Sequence, residues 1–400
     1  MNTTRRTFLY AGSTMLAAQA APSDQINLGV IGSGGRGMYV MGVFQKDANV
    51  RVASVCDVYE PNLEKALSLA SKAQGGQSPR AIRNYKQILE DKSINAVLIA
   101  TPEHWHHRMT LDAIAAGKDI YVEKPLCQTP EQGVDLIRAE KASKCIVQVG
   151  MQRRSYDLYL EGRKIVAAGT LGPVRMVRSW WLNNYVNQPP PAKLDGPLDW
   201  EQWQGPVKRR VAADPLRFRH WRYFSEYAGG IAADQGAHAF DGMHLLMNAS
   251  YPLAVTAIGN KVQATQFDQP ESMVTIAEYP EAFTGIFTIN YAAMKYQSKN
   301  DQLSQLDGDK ARMDIGREEC RVYMQGTEDT AAIVKRSERG FGYAAELHVQ
   351  NFLECVRTRK TPTAPMHIGF QACLITLLAN ISRKAGKRVR WDDVAGKVIL

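Results

Sequence analysis

Long hydrophobic runs are missing from this chain: beyond its first residues, no stretch of about 18 uninterrupted apolar residues occurs, which excludes a bilayer-spanning helix. Cysteine is sparse and unpatterned. The six thiols, Cys56, Cys127, Cys145, Cys320, Cys355 and Cys373, form no C-x-x-C pair, so neither a disulfide framework nor a cysteine metal site is expected. Lys+Arg exceed Asp+Glu by 49 to 40, yet no long basic tract lies beside interleaved rings, and nucleic acid is excluded as a partner. No internal repeat is present. What remains, 400 residues with 45% apolar and 22% charged content, suits two domains with substantial cores and a soluble α/β fold.

The N-terminus reads as an address. Thr4-Arg5-Arg6-Thr7-Phe8-Leu9 has the twin-arginine form, a short segment rich in small apolar residues follows, and Ala18-Gln19-Ala20 supplies a cleavage site. Residues 1–20 are therefore set aside as a signal peptide. The expected partner is the twin-arginine export machinery, which moves folded proteins, and the expected location is the periplasm or beyond.

The chain is ordered around Ile26-Asn-Leu-Gly-Val-Ile-Gly-Ser-Gly-Gly-Arg-Gly37, a buried strand running into glycines with the G-x-G-x-x-G spacing. Gly32 permits a sharp turn, Gly34 lets a pyrophosphate approach the backbone, and Gly37 lets the following helix pack on its strand. Ser33, Gly35 and Arg36 complete a phosphate-binding loop at a helix N-terminus. A second apolar run, Val50 to Cys56, ends at Asp57, where a dinucleotide fold needs an acceptor for ribose hydroxyls. The carboxylate favours NAD over NADP, whose 2′-phosphate it would repel, although Arg36 offsets part of that charge.

Strands at 94–100, 119–123 and 145–150, alternating with helices, make five strands of a parallel doubly wound sheet over residues 24–150. After Gly150 the pattern changes. A helix from Asp157, a strand near Val174–Leu182 and a long irregular stretch precede strand-like text at 255–262, 273–279, 283–291 and 320–324. Residues 151–400 are expected to form an α+β domain with an open, mostly antiparallel sheet and two closing helices.

Several clusters suit ligand contact. His104-Trp105-His106-His107 follows the third strand, where such a sheet presents residues to its ligand. His104 is assigned to the cofactor side, and Trp105 and His107 to the substrate. The spacing of His104 and His107 with His238 also permits a zinc site, but a plain helix turn outweighs it, and no metal is expected. Arg153, Arg154 and Tyr156 could reach an acidic or hydroxylated ligand, or the protein's own carboxylates. Trp221 and Tyr223 belong to a Trp- and Arg-rich cluster suited to stacking on sugar rings.

With Thr101-Pro102, Glu123-Lys124-Pro125 and Gly230-Ile-Ala-Ala-Asp234-Gln-Gly-Ala-His238-Ala-Phe-Asp241, the glycine loop and Asp57 occur in an order that resembles the glucose–fructose oxidoreductase, inositol dehydrogenase and rhizopine-catabolism (Gfo/Idh/MocA) family. The resemblance implies a Rossmann domain followed by a sheet domain whose open face makes dimer or tetramer contacts. It implies NAD(P)-dependent oxidation of a sugar or polyol hydroxyl. Thr101, Pro102, Glu123 and Lys124 would lie at the cofactor, Asp241 at the substrate, and Lys124, Asp234 and His238 at the reacting carbon. Asp234 and His238, four apart, share a helix face. Either accepts the hydroxyl proton, with Lys124 as electrostatic partner and relay. A buried Lys124 beside an oxidised nicotinamide would be a base closer to neutrality.

Export suggests a cofactor carried inside the folded protein and regenerated in place. The first expectation is oxidation of a sugar or glycoside hydroxyl. Its alternative is a redox-neutral glycoside hydrolase or epimerase, although the Thr-His-Gly of the family's NAD-dependent glycosidases is replaced here by Ala233-Asp234-Gln235-Gly236. A non-catalytic nucleotide sensor is the third.

Overall fold

A computed structural model of the protein describes residues 25–187, 192–260, 263 and 266–400; the expected signal peptide and the last two residues of the 255–262 strand lie outside them. The first half alternates strand and helix: β1 (Ile26–Ile31), α1 (Gly35–Phe44), β2 (Val50–Cys56), α2 (Glu60–Ala73), β3 (Arg80–Ile82), α3 (Lys86–Glu90), β4 (Ala96–Ile99), α4 (Glu103–Ala115), β5 (Asp119–Val122), α5 (Pro130–Lys141) and β6 (Val147–Val149). All pairings are parallel, in the order β3-β2-β1-β4-β5-β6. The sheet has six strands where the sequence suggested five. The added one, β3, is a short, mostly exposed edge strand beyond a Gly/Gln/Ser/Pro turn, too brief for an apolar period to mark it. Order reverses between β1 and β4, and loops at the carboxyl ends of those strands open a crevice there.

The second half contains α6 (Asp157–Ala167), β7 (Met176–Leu182), α7 (Trp200–Gln204), α8 (Pro215–Arg219), α9 (Gly230–Met247), β8 (Ala254–Gly259), β9 (Ser272–Glu278), β10 (Thr284–Asn290), β11 (Gln302–Asp307), β12 (Ala311–Ile315), β13 (Glu319–Met324), β14 (Ile333–Arg336), α10 (Tyr343–Thr358), α11 (Met366–Ala385), β15 (Val389–Asp392) and β16 (Lys397–Ile399). Ten strands form one sheet, ordered β14-β13-β12-β11-β7-β10-β9-β8-β15-β16, antiparallel except where β7 meets β10. Strict alternation in β10, with Gly285, Phe287 and Ile289 buried, turns one face toward α9, while α6 packs on β12–β14 and α11 on β8 and β9. The opposite face carries exposed Ile258 and Ile276.

The C-terminal helices tie the halves together. Phe352 of α10 packs edge-on against Phe44 and Tyr121 of the first domain, with ring centroids 5.9 Å apart in both cases. Phe370 of α11 occupies the space a side chain at Gly133 of α5 would need: a Cβ there would lie 2.0 Å from the ring.

Candidate functional site

The glycine loop has the geometry its sequence demands. Gly32 sits at φ +86°, and a Cβ on it would come within 2.8 Å of the Ala100 and Thr101 backbone. A Cβ on Gly37 would meet the Gly32 carbonyl oxygen at 2.0 Å, so α1 lies hard against the turn. Gly34 is different: the nearest atom to its notional Cβ is Asn62 Nδ2 at 3.9 Å, and open space lies above the loop. Gly34 caps α1 with no side-chain bond, and the first turn of that helix has no acidic residue, leaving its positive end unanswered.

That loop forms one end of a cavity of about 720 Å³, and most of the sequence-predicted site residues meet in it. Gly32, Gly34, Gly35, Arg36, Asp57, Thr101, Pro102, Trp105, Glu123 and Lys124 line it together with Arg153, Trp221, Tyr223, Asp234 and His238. Asp57 also braces the loop: one carboxylate oxygen accepts from the Ser33 amide at 2.7 Å and hydroxyl at 3.0 Å, the other from the Tyr59 amide at 2.9 Å. Burial raises its pKa, against those hydrogen bonds. Arg36 pairs with Glu123 at 2.8 Å, joining the glycine loop to the end of β5.

At the junction of the domains, Lys124 donates to Asp234 Oδ1 at 2.6 Å and to the Asp234 carbonyl at 2.7 Å. Gln235 Nε2 and Arg222 Nε approach the other Asp234 oxygen at 2.9 and 3.2 Å. Burial would raise this carboxyl, but Lys124 and Arg222 outweigh it and hold Asp234 well below the ordinary carboxylate range. One turn on, His238 Nδ1 is buried with no hydrogen-bond partner. Its pKa is pushed well below the usual histidine value by burial first, then by Lys124, Arg153 and Arg36, so the imidazole is neutral. The Trp181 ring lies nearly parallel to it, with centroids 6.4 Å apart.

Seven predicted residues do not line the cavity. Ser33 and Gly37 belong to the loop itself but are buried, Ser33 on Asp57 and Gly37 against the Gly32 carbonyl. His104 is turned into the core, its Nε2 on the Trp203 carbonyl at 2.8 Å, because neighbours on α4 point about 100° apart and Trp105 takes the cavity side. His107 pairs with Asp135 at 3.0 Å. Arg154, itself half-buried, is spent on the buried Asp241 at 2.5 Å. Tyr156 is fully buried and donates to the Arg317 carbonyl at 2.6 Å. The cavity therefore does not bring His104 to the cofactor side, nor His107, Arg154, Tyr156 and Asp241 to a substrate, as the sequence suggested. His104, His107 and His238 do not converge, and among the described residues no group of three or more His, Cys, Asp or Glu is placed to hold a metal. The unpredicted lining residues include Gln152, Asn183, Tyr185 and Tyr291, which stand outside any motif, and Trp181 and Arg222, which belong to the aromatic and guanidinium cluster.

A strap from the second domain crosses the first. Asp199 N–H donates to the Val58 carbonyl at 2.9 Å, Glu60 N–H to the Pro197 carbonyl at 3.0 Å, and Asp195 N–H to the Tyr59 hydroxyl at 2.8 Å, just past Asp57. On the other side, Trp105 donates to the Trp203 carbonyl at 2.9 Å.

Residues 26–151 match the model of an oxidoreductase family with an NAD-binding Rossmann fold, and residues 159–314 match the Gfo/Idh/MocA C-terminal domain. The chain belongs to the Gfo/Idh/MocA family. Among Gfo/Idh/MocA relatives, inositol 2-dehydrogenase 2 of Saccharopolyspora erythraea is 31% identical over 175 residues, 43% of this chain and 49% of that protein. Glycosyl hydrolase family 109 protein 2 of a Shewanella species is 29% identical over 130 residues, 32% of this chain and 28% of the relative. The alignments thus span about half, or less, of these two relatives' length. In fold, the chain matches levoglucosan dehydrogenase in complex with NADH and levoglucosan, with a TM-score of 0.71 at 18% identity, covering 92% of this chain and 99% of the other.

The first domain of this Gfo/Idh/MocA protein is an NAD-binding Rossmann domain. Its residues fit that cofactor: the unanswered end of α1 and the open space above Gly34 suit a pyrophosphate, and Asp57 lines the same cavity as a ribose acceptor.

Proposed function

We propose that this protein is an NAD-dependent oxidoreductase that removes a hydride from a hydroxyl-bearing carbon of a sugar, cyclitol or glycoside, with Lys124, Asp234 and His238 at that carbon. The observation that carries the reading is the 2.6 Å Lys124–Asp234 pair beside the unpartnered His238 Nδ1, in a cavity that also reaches the glycine loop and Asp57. Bound NAD supplies the two-electron acceptor. The protein's own side chains handle the proton and the charge.

A carbinol loses hydride only as its hydroxyl proton is taken up. His238 is the acceptor, because it is neutral and lines the cavity. Asp234 is unsuited to that role, since Lys124, Gln235 and Arg222 already occupy its oxygens and hold it ionised. Its work is to fix the Lys124 ammonium, which steadies the oxygen as negative charge develops there. Trp181, Trp221 and Tyr223 offer ring faces to the C–H side of a sugar, and Asn183 and Tyr291 offer hydrogen bonds to its hydroxyls. The names of the relatives, inositol and levoglucosan dehydrogenases, point to the same hydroxyl-rich class.

A second reading is redox-neutral glycoside cleavage or epimerisation, with the hydride returned to the same molecule. The strap favours it, because a cofactor roofed by residues 195–203 would stay through many turnovers. The Shewanella relative's name favours it also. Export under the Arg5-Arg6 signal agrees with a retained cofactor. Homo-oligomerisation, as a dimer or tetramer, would cover the open sheet face carrying Ile258 and Ile276.

Mass spectrometry of the purified full-length protein tests retention of NAD. Incubation with a panel of sugars, cyclitols and aryl glycosides separates the readings. Stoichiometric NADH supports oxidation, and phenol release without added NAD supports cleavage. Neither, across the panel, sinks both and leaves a nucleotide-binding sensor.

A further inference from the structure

Arg153 is a buried cation with no carboxylate of its own. It is 5% exposed, lines the cavity beside His238 and Trp181, and appears in none of the ion pairs among the described residues. Its polar partners are neutral: Nη1 donates to the Tyr159 hydroxyl at 3.0 Å, and Nη2 to the Gln302 side-chain oxygen. Rings flank it, with the guanidinium carbon 5.4 Å from the Tyr159 centroid, 5.5 Å from Trp181 and 6.0 Å from Phe341. The neighbouring carboxylate, Asp241, accepts from Arg154 through Oδ1 at 2.5 Å; the Arg153 charge also favours its ionised form, but no hydrogen bond or ion pair joins Asp241 to Arg153. In the reacting half, Lys124 and Arg222 already outnumber Asp234. Arg153 adds a further cation that no ion pair among the described residues answers.

A buried ion is costly unless it is paired, and ring faces recover only part of that cost. A guanidinium has five N–H groups in a planar fork. Tyr159 and Gln302 use one on each terminal nitrogen and fix the plane, leaving Nε and the second N–H of each Nη unspent. That is the donor arrangement that meets a carboxylate two-pronged. The location matters as well, because Arg153 is one of the cations that disfavour proton uptake by His238. A carboxylate on Arg153 would cancel that repulsion and make His238 a better acceptor when substrate is present.

We propose that the substrate carries a carboxylate, as in a uronic acid, an aldonic acid or a glycoside of one, and that Arg153 receives it while His238 and Lys124 act on a hydroxyl of the same molecule. The inference rests on the oxidoreductase reading above and narrows its substrate class.

The test uses the full-length protein with NAD and pairs that differ only in oxidation state at one carbon: D-glucuronate against D-glucose, D-galacturonate against D-galactose, and the acyclic acid gluconate against sorbitol. NADH formation gives kcat/KM, and quenching of tryptophan fluorescence, for which Trp181 is the reporter, gives binding without turnover. The acid of at least one pair is expected to exceed its neutral partner by ~10- to 100-fold in both readouts, the worth of one charge-assisted, two-pronged contact. Preference for a ring acid or for gluconate says which kind of acid is taken. Arg153→Gln is expected to abolish the preference mainly through KM, and Arg153→Lys to restore part of it. Turnover of neutral sugars alone overturns this inference and leaves the oxidoreductase reading standing. Acid binding that Arg153→Gln removes, without turnover of any compound, supports the anion site and overturns the oxidation. Acid preference that survives in a folded Arg153→Gln, or no acid binding at all, overturns the inference.

Discussion

Lys124 and Asp234 lie 110 positions apart, one at the end of a Rossmann strand and the other on the helix entering the second domain, yet the ammonium reaches both the carboxylate and the carbonyl of Asp234, at 2.6 and 2.7 Å. The pair closes the domain junction, inside the cavity that the glycine loop and Asp57 also line. Its two members are not equivalent, because Asp234 also answers Arg222.

Removing them is therefore expected to give similar losses of turnover and different losses of stability. Lys124→Met leaves Asp234 with Arg222 and Gln235, whereas Asp234→Asn strands two cations. Both are expected to lower kcat/KM by ~100-fold or more. The melting temperature should fall further for Asp234→Asn. Circular-dichroism melts beside steady-state rates check this, and equal melting temperatures would show that Arg222 does not depend on Asp234.

His238→Gln should lower turnover by ~100- to 10,000-fold while leaving NAD binding intact. Because the wild-type imidazole is held neutral well below its usual pKa, the rate should show no histidine-type loss between pH 7.5 and about pH 6. A pH–rate profile limb near the ordinary histidine value would remove His238 from the role of acceptor.

Glu103 gives a pH signature in stability. It is 1% exposed, Oε2 accepts from Gly229 N–H at the start of α9 at 2.9 Å, and Oε1 has no partner. Burial first, then Asp234, pushes its pKa up from 4.5 to about 8. A carboxyl raised on folding stabilises the native state below its unfolded pKa and loses that contribution as pH climbs to its folded one. Glu103→Gln keeps the acceptor for Gly229 and cannot ionise. Its stability relative to wild type should rise from pH 5 to about pH 8 and level off above, in denaturant titrations at fixed pH. A difference that does not change with pH would mean that Glu103 stays charged.

The glycines of the loop should separate fold from ligand. Gly37→Ala would place a Cβ 2.0 Å from a backbone oxygen that cannot swing away, at an expected cost of ~1–3 kcal/mol in stability. Gly34→Ala meets nothing closer than 3.9 Å and should fold as wild type, yet bind NAD at least ~10-fold more weakly because the added methyl stands where a phosphate must approach. Calorimetric titration with NAD and thermal melts of both variants check the split.

The sequence carried those parts of the fold that depend on period and on glycine. The parallel strands, the loop geometry and the sharing of one helix face by Asp234 and His238 follow from spacing alone. Direction across a helix was harder. Asp241 lies on the stripe of Asp234 and His238, but seven positions further along α9 it meets Arg154 in the core, and a polar residue in a motif reads identically whether it faces solvent or a buried partner. His104 failed for the same reason, one residue from Trp105. Tyr291 and Asn183 left no signal, because they reach the cavity from strand ends of a sheet whose order is set by long-range pairing.

The strap bears on how the protein can be divided. Val58, Glu60 and Trp105 satisfy backbone or indole groups with atoms from 197–203, and Phe352, late in the sequence, completes the first sheet's core. A fragment ending at Gly150 would expose all of these sites to water, so the Rossmann half is not a module to be grafted onto a foreign sheet domain. Chimeras would have to exchange the crossing segment and α10 along with it, and the intact protein should melt in a single calorimetric transition.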